Sequence, residues 1–80
     1  MRELTLEEIN AHPDFEVIEK VLPASGRPEG YNLQCYYKGE RIFSKGLIFC
    51  PLSSLTIIKK KYLVLLNGKL KLRNLINKFE

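Results

Sequence analysis

The sequence predicts an α+β domain: a short N-terminal helix, an antiparallel sheet of about four or five strands built as two hairpins and able to curl toward a small barrel, and a short C-terminal helix. Three observations carry this. Thr5-Leu6-Glu7-Glu8 is a helix start followed closely by Pro13. Gly39-Glu40 and Asn67-Gly68 are turn signals set between apolar or β-branched runs. Leu72, Leu75, Ile76 and Phe79 recur at i, i+3, i+4 and i+7, the stripe of a terminal helical turn or two. Eighty residues leave room for one core, so residues 1–80 are read as a single domain.

In the first element Thr5 can accept from the backbone of Glu8 while the Glu8 carboxylate reaches back, with Leu4 and Ile9 as a hydrophobic staple. Acids in the first turn suit the positive end of the helix dipole. Pro13 disfavours helical geometry at His12, which ends the helix near Asn10 or Ala11. Phe15 to Leu22 mixes β-branched residues with charges and reads as a strand in preference to a helix. Pro23 to Gly30 concentrates two prolines and two glycines in eight residues and reads as a loop. A phosphate-loop reading fails there, because no Gly-Lys-Ser/Thr follows.

Tyr31 to Lys38 and Arg41 to Cys50 form the expected first hairpin, with Gly39 supplying the positive φ of a type II′ turn. That register puts Tyr31, Leu33, Cys35, Tyr37, Ile42 and Ile48 on one face, and Asn32, Gln34, Tyr36, Phe43, Lys45, Leu47 and Phe49 on the other. Gly46 marks a bulge or bend, and Pro51 ends the strand. Leu55 to Leu66 admits two readings. Apolar residues at 55, 58, 62 and 65 fit a helix with Asn67-Gly68 as its C-cap. The β-branched Thr56, Ile57, Ile58 and Val64, together with Asn-Gly, favour a second hairpin. The hairpin is preferred; it pairs Leu65 with Leu70, Val64 with Lys71 and Tyr62 with Arg73.

Cys35 and Cys50 lack zinc-knuckle or redox spacing, so neither a metal nor a cofactor is expected, and burial as small hydrophobes is. Register sets Cys35 opposite Ser44 and Cys50 about six residues, roughly 20 Å, further on, which forbids a disulfide. His12 is expected as a capping or surface group, and Asp14 and Glu16 as part of a solvated acidic surface. No catalytic constellation has a local signature, so no enzymatic activity is expected. The start of the chain has no secretory h-region and the longest apolar run, Tyr62 to Leu66, is far too short to span a bilayer, so a cytoplasmic protein without a membrane is expected.

Net charge is +4 and unevenly spread. Residues 1–37 carry three basic and seven acidic side chains, net −4, whereas residues 38–80 carry ten basic and two acidic ones, net +8. The basic half is therefore expected to face the partner. On the second hairpin Lys60, Tyr62, Lys69, Lys71 and Arg73 share a solvent face, a pattern suited to single-stranded RNA or DNA, with lysines on phosphates and tyrosine stacking on bases. Lys38, Arg41, Lys45 and Tyr36 are secondary candidates. The alternative is a protein-interaction module, an adaptor, inhibitor or small subunit for an acidic protein partner, or a homodimer, using aromatics among Tyr31, Tyr36, Tyr37, Phe43 and Phe49. From the capping box alone, Thr5→Ala is expected to lower stability by about 0.5–2 kcal/mol in urea unfolding, and an unchanged midpoint would contradict the assignment.

Overall fold

The computed structural model describes residues 3–24, 27–48 and 52–79, with side chains described in these ranges except at 22–29, 47, 48 and 52. Helix α1 (Leu6–Ala11) precedes three antiparallel strands, β1 (Phe15–Ala24), β2 (Arg27–Tyr37) and β3 (Glu40–Ile48), in the order β1-β2-β3. A short 3-10 turn (Leu52–Ser54) leads into α2 (Leu55–Leu72), and a second one (Ile76–Phe79) follows it. Among the described residues the architecture is α+β, with a three-stranded open sheet where four or five strands or a curled barrel were expected.

Helix α1 forms as its sequence dictates. Thr5 Oγ1 accepts from Glu8 N–H at 3.2 Å, and Glu8 Oε1 accepts from Thr5 N–H at 3.1 Å. His12 is the C-cap, and its Nδ1 accepts from the Asp14 N–H at 3.1 Å, the capping role expected of it.

The expected loop at Pro23–Gly30 is instead the end of a hairpin, with Pro23 opposite Pro28 and Ala24 opposite Arg27. Its prolines are tolerated because they sit beside the register shift at Leu22/Pro23, where the ladder is already interrupted. The second turn is displaced by one residue from the expected place. Tyr37 pairs with Glu40, so Lys38-Gly39 is the loop, with φ of 50° and 85° as a type I′ turn requires. Lys38 is held in this sparsely populated region by its N–H, which donates to Asp14 O at 2.8 Å. The bulge lies at Ile42, between the pairs Cys35/Phe43 and Tyr36/Arg41, and not at Gly46. It turns both Ile42 and Phe43 toward the core, whereas the expected register sent Phe43 to the opposite face. Gly46 instead makes room for its cross-strand partner, since a Cβ there would lie 2.9 Å from Asn32 Nδ2. Phe49, Cys50 and Pro51 lie outside the described residues.

The larger correction is α2. Leu55 to Leu72 is one helix of 18 residues, about 27 Å long, that runs through Asn67-Gly68; the second hairpin does not form. Leu55, Ile58, Tyr62, Leu66 and Leu70 make its inward stripe on β2 and β3, and this tertiary burial overrides the β preference of Thr56, Ile57, Ile58 and Val64. Asn67 is buried because it is a clamp. Its Oδ1 accepts from Leu4 N–H at 2.8 Å, and its Nδ2 donates to Leu4 O at 3.0 Å and to Leu63 O at 2.9 Å. The helix stops at Asn74, whose φ of 59° places it in the left-handed region. Leu75 N–H then reaches back to Leu70 O at 2.8 Å and Asn74 N–H to Lys71 O at 3.1 Å, a Schellman closure.

The core is Leu4, Ile9, Phe15, Tyr31, Leu33, Cys35, Ile42, Tyr62, Leu66, Leu70, Leu75 and Ile76. One end is sealed by rings: Phe15 packs on Tyr37 with centroids 4.7 Å apart and on Phe79 at 5.0 Å, and His12 packs against Phe15 and Phe79 at 5.1 Å each. Two substitutions at neighbouring positions are expected to act in opposite directions. Asn67→Ala leaves the buried Leu4 N–H and C=O without their partner and lowers stability by about 1–3 kcal/mol. Gly68→Ala raises it by about 0.5–1 kcal/mol, because a Cβ there meets nothing within 4 Å and Gly disfavours helix. Urea midpoints check both, and a destabilising Gly68→Ala would contradict the helix.

Candidate interaction surface

The helical phase of α2 redistributes the residues expected to form one basic strand face. Tyr62, expected as a stacking platform, is only 6% exposed and packs on Tyr31 with ring centroids 5.4 Å apart. It is therefore removed from any surface. Lys60 and Lys71 are exposed and eleven residues apart, which brings them to one side of the helix about 16 Å from each other. Lys69 is half-buried and lies a large fraction of a turn away, at the junction with β3. Arg73 follows the helix end, where its Nη1 lies 3.3 Å from Glu40 Oε2 in an exposed ion pair. The structure thus brings Lys60 and Lys71 together and separates Lys69 and Arg73 from them.

The secondary candidates also divide. Tyr36 and Arg41 are cross-strand partners on the sheet face turned away from α2, where the Tyr36 hydroxyl donates to Gln34 Oε1 at 3.1 Å. Lys38 sits in the turn with Nζ 5.5 Å from the centre of the Tyr37 ring, and Lys78 approaches the same ring at 5.7 Å. Lys45 pairs with Leu33 and faces the helix side. Among the aromatics proposed for protein contact, Tyr31 is buried and Tyr36, Tyr37 and Phe43 are half-buried.

What residue-by-residue reasoning missed is aliphatic. Ile57, Val64, Leu65 and Leu72 are exposed large hydrophobics on α2, and all four lie away from the stripe formed by Tyr62, Leu66 and Leu70. The signal was present in helical phase: Ile57, Val64 and Leu72 fall at i, i+7 and i+15, so a helix through this segment is apolar on two sides and only one meets the sheet. Between α2 and β3 runs a groove of about 380 Å³, bounded by Ile42, Phe43 and Lys45 on the strand and by Leu65, Gly68 and Leu72 on the helix. Lys69 stands at its rim.

One surface ion pair links the helix to the sheet. The Tyr31 hydroxyl donates to Glu19 Oε2 at 2.7 Å, and Lys59 Nζ lies 3.7 Å from the same oxygen. Among the described residues no three His, Cys, Asp or Glu side chains are grouped to hold a metal ion, and no helix is long and apolar enough to cross a membrane. No protein-family model matches the chain, and comparison with curated proteins and with solved structures finds no match.

Cys35 is fully buried, and desolvation pushes its thiol from 9.0 up to about 11. The raised folded value means that the unfolded chain ionises first. This group's contribution to stability is therefore intact below pH 9.0 and is lost as pH rises toward about 11. Iodoacetamide at pH about 8 is expected to modify Cys35 only through unfolding, at a rate that rises with urea. Rapid modification of native Cys35, read by peptide mass spectrometry, would contradict its burial.

Proposed function

We propose that this chain is a small non-enzymatic binding module whose partner is an acidic protein, engaged through the outer side of α2 and the adjoining edge of β3. The observation that carries this reading is the exposure of aliphatic side chains on α2: Leu72 is 80% exposed, Ile57 64%, Val64 54% and Leu65 46%. Scattered single hydrophobics are ordinary on a surface, but here four lie on one helix, and Leu65 and Leu72 among them also bound the groove. Burying one Leu or Ile side chain fully is worth about 1.5–3 kcal/mol, so a few of them can anchor a complex. Lys60, Lys61, Lys69 and Lys71 surround this strip, and a cationic rim favours an acidic partner and speeds encounter.

The nucleic-acid reading is the weaker one on this geometry. With Tyr62 inside, α2 offers phosphates its lysines but no aromatic platform for bases.

The double substitution Leu65→Ser with Leu72→Ser is expected to leave the urea midpoint within about 0.5 kcal/mol of the parent, because both side chains already face solvent. Capture of a protein partner by the immobilised chain is expected to persist after nuclease treatment and at about 0.5 M salt, and to be lost with the double substitution. Capture that disappears with nuclease or salt, and that Lys60, Lys69 and Lys71 to Gln abolishes while Leu65→Ser/Leu72→Ser does not, would replace this reading with nucleic-acid binding.

A further inference from the structure

Resting on the protein-partner reading above, we infer that the partner is taken as an extended, acid-bearing segment that adds to β3 as a fourth antiparallel or parallel strand and sets alternate apolar side chains into the groove beneath Leu65 and Leu72.

The two edges of the sheet are not equivalent. Along β1 the edge is met by α1, and Asn10 Oδ1 accepts from the Val17 N–H at 3.0 Å, so a main-chain donor that would otherwise invite a new strand is already used. Strand β3 has a neighbour only on the β2 side among the described residues, and its other edge presents main-chain groups in the spacing that an added strand requires. The Ile42 bulge disturbs this edge next to the turn and leaves residues 43–48 in regular pairing with β2.

Helix α2 supplies the other wall. It packs on β2 and β3, and its exposed Leu65 and Leu72 line the groove beside β3. A further strand would lie about 4.8 Å beyond β3, and its inward residues would meet these two leucines. Gly68 stands between them, and the space where its Cβ would be is open to at least 4 Å. A leucine or valine from the partner can enter there. Charge fixes the chemistry beside the apolar anchors: Lys45 and Lys69 border the groove on the side of α2, so the inward-facing residues next to the apolar ones are Asp or Glu, while Arg41 lies on the opposite face beside the turn. A second copy of this chain pairing β3 with β3 would bring two sets of Arg41 and Lys45 together, which opposes that occupant. A helix in the groove would leave the β3 edge unpaired.

The test uses the intact chain and a displayed library of random peptides about 12 residues long, selected at about 0.3 M salt so that charge alone does not retain them. The expected winners carry aliphatic and acidic residues two apart, on one face of a strand. With the best synthetic peptide, amide shifts in NMR should concentrate at residues 43–48 of β3 and 65–72 of α2. Gly68→Gln, which fills the aperture with a good helix former and so retains the fold, is expected to weaken binding at least about tenfold. N-methylation of alternate peptide residues in one register should abolish binding and in the other leave it intact.

Winners spaced i, i+3, i+4, indifference to Gly68→Gln, or loss of binding with N-methylation in both registers would overturn strand addition while leaving a protein partner in place. An empty selection would overturn strand addition as well, and the Leu65→Ser/Leu72→Ser capture then decides the broader reading by itself. Sedimentation showing a dimer that Gly68→Gln dissociates would make a second copy the occupant and overturn the proposal.

Discussion

The structure depends on one side-chain amide. Asn67 sits inside α2 and closes a pair of hydrogen bonds with the N–H and C=O of Leu4, 63 residues earlier, while a third goes to Leu63 O in its own helix. An asparagine in a helix interior is ordinarily a weak choice, and a buried amide without partners is costly. Here all three bonds go to main-chain groups, and the pair at Leu4 is buried. The clamp fixes the depth at which Leu4 enters the core and hence the entry into α1. It also fixes the rotation of α2, because turning the helix to expose Asn67 would break both ends of the contact. Tyr62, Leu66 and Leu70 then face the sheet, and Tyr31 with Glu19 and Lys59 ties the same rotation to β1 and β2.

The exposed strip follows from this fixed rotation. With Tyr62, Leu66 and Leu70 held on the sheet, the positions on the far side of the helix face solvent, and those positions hold Ile57, Val64, Gly68 and Leu72. A chain of this size buries only about 60% of its unfolded surface, so some apolar exposure is unavoidable. Its concentration on one helix, beside the open strand of a three-stranded sheet, is what gives the surface a direction. The ring cluster of His12, Phe15, Tyr37 and Phe79 closes one end of the core with aromatic side chains.

Where the determinants were local, they were legible. Thr5 and Glu8 form their capping box within four residues, and the α+β class and the β2-β3 hairpin are read from turn chemistry and alternation. The off-by-one turn had a distant cause, since Lys38 is stabilised by the Asp14 carbonyl. Asn67-Gly68 misled for the same reason: the dipeptide is a strong turn signal in isolation, and only contact with Leu4 makes Asn67 a helix residue. The true stop, Asn74, carries no Gly and is marked by its left-handed φ. For the surface, the charges were visible as an asymmetry between halves, but their grouping required the helical phase. That phase removed Tyr62 and put aliphatic residues in its place.

Amide hydrogen exchange at Leu4 tests the clamp most directly. A backbone N–H that precedes a two-turn helix and lies outside its hydrogen-bond ladder would ordinarily exchange at close to the unprotected rate. If Asn67 Oδ1 holds the Leu4 N–H, its protection matches that of Leu66 and Leu70 in α2, and both fall together with increasing urea. Exchange of Leu4 at the unprotected rate while α2 remains protected would contradict the account, because the helix would then hold its position over the sheet without the N-terminal segment.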